Sequence, residues 1–245
     1  MEPHVEHFLT RHYEMGRDRL MRIQCICNYM EEAAGIHADK LGVGLERLAE
    51  DGLAWVLAKM RLRLRRRPAP GERVVVETWP VRVERIQFRR DFILYDESRQ
   101  VLATAVTQWV VMGLASRKVE RFPARLAELA PENPPLAQDS GDIRIPAVNG
   151  GRPGPLFPVR LADIDQNRHV NNGRYVDFAL EAAQMAGKTD EPVQIDLLFR
   201  AEGLRGDVIG CVTAEEEGAP DNLIHSLFRQ GDGQELARAR TVHAF

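Results

Sequence analysis

Apolar and polar residues alternate through GLAWVLAKMRLRLRRRPAPGERVVVETWPVRVERIQ, positions 52–87. A period of two, with Val, Trp and Ile abundant, predicts long strands, and Pro-Ala-Pro-Gly-Glu (68–72) supplies the turn between two of them. The next stretch, FRRDFILYDESRQVLATAVTQWVVM, reads as strand, polar turn at Asp96–Gln100, strand. Ahead of these lie an extended run near His7–Met15 and a helix over Met21–Ala38. The second half repeats the order. LFPVRLADI is extended, a helix follows near Asn172–Ala186, VQIDLLFRAEGLRGDVIGCVTAEEE gives two strands, and NLIHSLFRQGDGQELARARTVHAF gives a hairpin.

Short matches support a duplication. EAA recurs at Glu32 and Glu181 (offset 149), GERVVV at Gly71 resembles GDVIGC at Gly206 (offset 135), and VLATA at Val101 resembles ELARA at Glu235 (offset 134). Their common order carries the argument, since each match is short. Between the halves, Pro123–Pro158 is rich in proline, glycine and polar residues and reads as a linker. The expected organisation is a domain over 1–130, a linker over 131–155 and a domain over 156–245. A strand, a helix and a run of long antiparallel strands is an α+β order. The second helix, NGRYVDFALEAAQMAG, is apolar on nearly every side, which predicts burial. A curved antiparallel sheet wrapped around one central helix would bury it. That is the hotdog arrangement, expected here as two tandem domains.

Composition narrows the function. The 245 residues carry a formal net charge of −3, so the whole molecule is no obvious nucleic-acid binder. No apolar run approaches the length that spans a bilayer, and the first residues lack a basic region followed by an apolar core. The three cysteines are read as reduced and buried, which suits the cytoplasm. No residue spacing calls for a metal or an organic cofactor.

Chemistry concentrates in DIDQNRHVNN, Asp163 to Asn172. Asn171 or Asn172 fits an N-cap for the following helix, so the motif occupies a loop at a helix N-terminus. Backbone amides of Val170–Gly173 could then hold an oxyanion. Asp165, Asn167 and His169 are spaced two apart, and in an extended segment they would project to one side. Together they offer an acceptor, a neutral donor and a group that titrates near neutrality. Aspartate and asparagine are ordinary in turns and caps, so each alone says little. The first half provides a contrast: at an offset of 149 the three align with Gly16, Asp18 and Leu20. The trio is confined to one half.

These residues carry a resemblance. DIDQNRHVNNGRYVDFALE is similar to the Asp-x-Asn-x-His-Val-Asn-Asn segment of the acyl-ACP thioesterases of plants and bacteria. AWVLAKMRLRLRRRPAPGERVVVETWP and RRDFILYD with ATAVTQWVVM are similar to that family's first-half strands, and LFRAEGLRGD to its segment with the catalytic glutamate. The resemblance implies tandem hotdog domains and hydrolysis of a fatty acyl thioester on acyl carrier protein (ACP). It implies a catalytic set of Asp165, Asn167, His169 and Glu202. Many plant members have cysteine after that glutamate; this chain has Gly203, and Cys211 is not aligned to replace it. Glu202 then serves as general base, Asp165 orients the network, and Asn167 and His169 position water or thioester, beside Asn171, Asn172 and Gly173. The chain also lacks the plastid extension of plant members, which implies a bacterial, cytoplasmic enzyme.

Between Lys59 and Arg90 stand eleven Lys or Arg against three Glu, a local balance of +8. Arg61, Arg63, Arg65 and Arg67 alternate and place basic groups on one strand face. A solvated face is the plain interpretation; docking of acidic ACP, with its phosphopantetheine, is the sharper one. An acyl-CoA thioesterase and a non-catalytic acyl-thioester binder are the competing functions. Paired hotdogs in one chain allow a monomer or a homodimer. Acyl chain length and ACP-versus-CoA preference are not encoded legibly.

Overall fold

The computed structural model describes residues 2–243 apart from 85, 124, 125, 127, 130, 132, 133, 139–141 and 190. The chain forms two compact units: residues 1–58 with 64–141, and residues 59–63 with 142–245. The expected linker, 131–155, is thus divided. Its residues to 141 go with the first unit, and a strand begins inside it at Arg152. Residues 132, 133 and 139–141 of that linker, and Arg85 of the basic run, lie outside the described residues.

The first unit opens with β1 (His4–Leu9), a 3-10 turn (His12–Glu14) and helix α1 (Ile23–Lys40). A short helix, α2 (Leu45–Glu50), follows; the sequence pattern did not reveal it. Then come β2 (Leu53–Leu64), β3 (Arg73–Glu84), β4 (Gln87–Asp96), β5 (Val101–Gly113) and the two-residue β6 (Val119–Glu120). β1, β3, β4, β5 and β2 are neighbours in that order, antiparallel where registers are resolved, and α1 packs against β1 and β3. The alternation of apolar residues in these strands supplies the buried face: Val74, Val76, Phe92, Leu94 and Ala103 are all almost fully enclosed.

The second unit contains β7 (Arg152–Pro158), a 3-10 turn (Leu161–Asp163), helix α3 (Arg174–Met185), β8 (Gln194–Phe199), β9 (Val208–Glu216), β10 (Ala219–Arg229) and β11 (Glu235–Val242). Its antiparallel order is the Lys59–Arg63 stretch, β8, β11, β10, β9, β7. α3 packs against β7, β9, β10 and β11 and buries Tyr175, Val176, Phe178, Ala179, Ala182 and Ala183. Each unit is therefore one antiparallel sheet packed on one helix, the α+β hotdog arrangement expected from the sequence. Both helices begin later than expected. α3 starts at Arg174, and its N-cap is Gly173 rather than an asparagine.

Polar groups are also buried in the interior. Asp196, fully buried, accepts from Arg61 (Nε 2.9 Å, Nη2 3.0 Å), Arg240 (3.0 Å) and Gln194 (2.9 Å), so a buried charge is matched by two cations. His225, also fully buried, lies between the hydroxyls of Thr213 (2.9 Å) and Thr241 (3.1 Å). Burial, with the nearby His243, pushes the His225 pKa down to about 3. In the first unit, burial and the Arg90 guanidinium push His37 down to about 3. Both histidines are neutral when folded, while unfolded histidine takes up a proton near pH 6.5. The stability they supply is complete above about pH 6.5 and is lost as pH falls toward 3. Urea unfolding at pH 7, 6, 5 and 4 should show this decline, and His225→Gln should make the slope shallower between pH 7 and 5.

Candidate active site

The site is built from the turn at Leu161–Asp163 outward. Asp163 is almost fully buried, and Arg160 surrounds its carboxylate: the backbone N–H (2.9 Å), Nε (3.1 Å) and Nη2 (2.9 Å) all donate to it. Arg174 Nε, from the first residue of α3, lies 2.9 Å from the same carboxylate. Burial opposes the charge, but these hydrogen bonds and cations outweigh it and hold the Asp163 carboxyl below the usual carboxylate range. Its carbonyl accepts from the Asn171 N–H at 2.9 Å. One residue thus ties the entry of the loop, its exit and the start of the helix together.

Between those ties, Asp165–His169 forms a tight turn. Ile164 bridges to Val170, the Asp165 N–H donates to the His169 carbonyl (2.9 Å), and Arg168 takes a positive φ of 67°. The extended geometry expected for Asp165, Asn167 and His169 is therefore corrected. The Asp165 carboxylate faces the turn's own backbone, accepting from the N–H groups of Asn167 (2.8 Å) and His169 (3.3 Å). The physical reason is that a tight turn leaves inward N–H groups unpaired, and the nearest short carboxylate satisfies them.

His169 and Glu202 come together, with Nε2 3.3 Å from Oε2 and both side chains about one-third exposed. The backbone places them: the Val170 N–H donates to the Gly203 carbonyl (2.8 Å), and Arg229 Nη2 donates to the Glu202 carbonyl (2.8 Å). Arg229 is itself held by Asp207 (2.9 Å), which also accepts the Leu204 N–H (2.9 Å). Asn167 is exposed. Asn171 turns its Oδ1 to the Gly173 N–H (2.9 Å) and its carbonyl to the Arg174 N–H (2.9 Å). The amides expected to serve an oxyanion are mostly engaged: that of Val170 donates to Gly203, and those of Asn171 and Gly173 donate within the loop. Among the described residues the Asn172 N–H has no acceptor, and Asn172 lies one residue before the N-cap of α3.

The four alternating arginines differ. Arg61 is bound to Asp196 and Arg67 to Asp18. Arg63 donates to Gln194 (2.8 Å). Arg65 is exposed and forms no ion pair among the described residues. Cys211 is buried, and burial raises its thiol to about 11, so it is protonated at neutral pH.

The first unit has the same loop without the chemistry. Gly16 N–H to Leu20 carbonyl (2.8 Å), Arg19 N–H to Gly16 carbonyl (3.0 Å), Arg22 N–H to Glu14 carbonyl (2.9 Å) and Met21 N–H to Pro68 carbonyl (2.8 Å) match their partners in the second loop. Arg19 also takes a positive φ, 64°. The offset of 149 for the loops and 135 for the strand turns thus holds in hydrogen bonds. Gly16 stands for Asp165, Leu20 for His169 and, by the same register, Arg67 for Glu202. The loop folds either way, so the histidine and glutamate are not demanded by folding.

Both halves of the chain resemble known proteins. Residues 2–129 match the model of the acyl-ACP thioesterase N-terminal domain, and residues 154–244 match that of the C-terminal domain. This chain belongs to the acyl-ACP thioesterase family. It is 30% identical over 254 residues to a chloroplastic palmitoyl-acyl carrier protein thioesterase of Cuphea hookeriana, covering 96% of this chain and 61% of that protein. The chain therefore spans less than two-thirds of that relative's length. It is also 30% identical over 270 residues to oleoyl-acyl carrier protein thioesterase 1, chloroplastic, of Arabidopsis thaliana, covering 97% and 75%. Among solved structures, the 12:0-ACP thioesterase of Umbellularia californica matches with a TM-score of 0.81 at 25% identity, covering 97% of this chain and 95% of that one. An acyl-ACP thioesterase from Bacteroides thetaiotaomicron shares the fold with a TM-score of 0.84 at 22% identity, covering 97% and 96%.

Within this thioesterase-family chain, residue-type reasoning missed Asp163 and Arg229 as supports of the site. A signal existed for Asp163. Arg11-x-x-Glu14 and Arg160-x-x-Asp163 recur at the 149-residue offset, each with a buried acid. Asp163→Ala removes a buried acceptor from Arg160, which is largely exposed, and from Arg174, which keeps Asp177, so the expected cost is that of an unsatisfied buried group, about 1–3 kcal/mol. The expected result is a lower urea midpoint together with loss of whatever activity depends on His169, measured on the same preparation.

Proposed function

We propose that the chain hydrolyses fatty acyl-ACP to free fatty acid and holo-ACP by attack of water on the thioester. The observation that carries this reading is the His169–Glu202 pair, 3.3 Å apart, at a helix N-terminus in a chain of the acyl-ACP thioesterase family. Glu202 acts as general base and takes a proton from water, while His169 orients that water and the Glu202 carboxylate. The hydroxide oxygen bonds to the thioester carbonyl carbon. The tetrahedral oxyanion is met by the Asn172 N–H and the helix N-terminus. Collapse breaks the carbon–sulfur bond, and the departing thiolate receives the proton to give holo-ACP. Asp165 serves by keeping the turn closed, and Asn167 meets the incoming phosphopantetheine arm from the exposed side of the loop. Asn171 and Gly173 shape the helix entry.

The three buried free cysteines support a reducing compartment such as the cytoplasm. No helix among the described residues is long and apolar enough to cross a membrane. The acidic partner ACP docks through basic strand residues. Arg65 leads that role, because Arg61 and Arg67 are committed to carboxylates of this chain.

Two measurements test this. Free thiol released from acyl-ACPs of graded chain length, with matched acyl-CoAs alongside, should favour ACP. His169→Ala and Glu202→Gln should each lower kcat about 10²–10⁴-fold while circular dichroism stays unchanged. Unaltered rates in both variants would remove the pair from catalysis. Rising salt should raise KM for acyl-ACP, and Arg65→Ala should make KM less sensitive to salt. A KM that ignores salt would count against electrostatic docking.

A further inference from the structure

Tyr175, the second residue of α3, is 2% exposed, and its ring meets Phe178 and Phe199 edge-on at 5.9 and 5.6 Å. Its hydroxyl is enclosed and makes no well-formed hydrogen bond within the described residues. The oxygen sits beside the Gly203 backbone. A Cβ on Gly203 would stand 2.7 Å from that hydroxyl and 2.9 Å from Val170 Cγ2, both too close for contact. A side chain after Glu202 would force Tyr175 or Val170 to shift.

The first unit shows that folding does not require this oxygen. At the offsets of 149 and 135, the equivalents of Tyr175 and Gly203 are Ile26 and Pro68, both buried and neither bearing a polar side-chain atom. The Pro68 carbonyl makes the same 2.8 Å bond as that of Gly203. The Gly203 backbone interacts with the hydroxyl oxygen, but the O–H finds no well-formed acceptor; an enclosed donor left unsatisfied destabilises a fold, and phenylalanine would fill the same volume without that cost. The hydroxyl therefore points to a role in the site. The charged groups around it are Asp207, Arg229 and Glu202. Asp207 and Arg229 are bonded to each other and to the backbone of the same turn. Burial raises the phenol's pKa above its ordinary value, so it remains a donor at working pH.

We propose that Tyr175 is a positioning residue for Glu202: its hydroxyl fills the space beside Gly203 and, once acyl thioester and water occupy the site, donates to the Glu202 carboxylate and holds it within reach of His169. This rests on the hydrolase reading above. The charged and titratable groups around Tyr175 and Glu202 are His169 from the loop, Asp207 from the turn before β9 and Arg229 from β10.

The test is a four-member cycle of wild type, Tyr175→Phe, Gly203→Ala and the double variant, measured for unfolding and for acyl-ACP hydrolysis. Tyr175→Phe should keep or raise Tm. It should lower kcat about tenfold, the worth of one hydrogen bond to a charged group, with KM unchanged. Losing a donor to a carboxylate raises its pKa, so the acid limb of kcat/KM should move to higher pH. Gly203→Ala should lower Tm more beside Tyr175 than beside phenylalanine. A fall in Tm for Tyr175→Phe with kcat and the pH profile unchanged would make the hydroxyl structural and overturn the proposal. Equal Tm losses for Gly203→Ala in both backgrounds would overturn the shared space. A wild type that does not hydrolyse acyl-ACP would instead overturn the hydrolase reading, and the Tm cycle would still report on the space.

Discussion

A buried carboxylate anchors each loop that leads into a central helix. In the second unit it is Asp163, held by Arg160 and Arg174. In the first it is Glu14, which accepts the Arg11 N–H (2.7 Å) and the Tyr29 hydroxyl (2.7 Å). A charge in so enclosed a place is tolerable only with donors on every side, and those donors come from the turn and from the helix. The requirement fixes where the chain enters the helix, and with it the position of every backbone group in the loop. In the second unit this brings the His169 backbone beside the Glu202–Gly203 turn.

With the frame set by backbone and a buried acid, the exposed positions of the loop are free to diverge. One copy carries Asp165, His169 and Glu202. The other carries Gly16, Leu20 and Arg67, with Arg67 turned to Asp18 in a salt bridge. Divergence on an unchanged scaffold separates what folds the loop from what folding leaves free. The same logic sets Tyr175 and Gly203 against Ile26 and Pro68: a polar atom enters a space that hydrocarbon already filled well.

Much of this architecture was legible in the alternation of residues. The long strands β2 to β5 and β8 to β11 follow a period of two, and α3 follows from a run apolar on most sides. Less legible was local detail governed by competition for hydrogen bonds. Asp165, Asn167 and His169 were expected to point together from an extended segment. A positive φ at Arg168 closes a turn instead, and the Asp165 carboxylate is drawn to backbone N–H groups. The N-cap shifted to Gly173 because Asn171 uses its oxygen one step earlier, on the Gly173 N–H. Of the basic strand face read from Arg61, Arg63, Arg65 and Arg67, Arg61 and Arg67 are matched internally by Asp196 and Asp18, which are distant in sequence and invisible to local charge counting.

By itself, the sequence determined the duplicated α+β order, the helices and strands, and the segment where chemistry concentrates. These depend on periodicity and residue type, which act over a few neighbouring positions. Only the tertiary structure decided that His169 meets Glu202, that Asp163 anchors the loop and that Tyr175 takes the space beside Gly203. Those contacts join residues brought together by sheet register and helix packing. Their energies depend on burial and on partners remote along the chain, which no local pattern specifies.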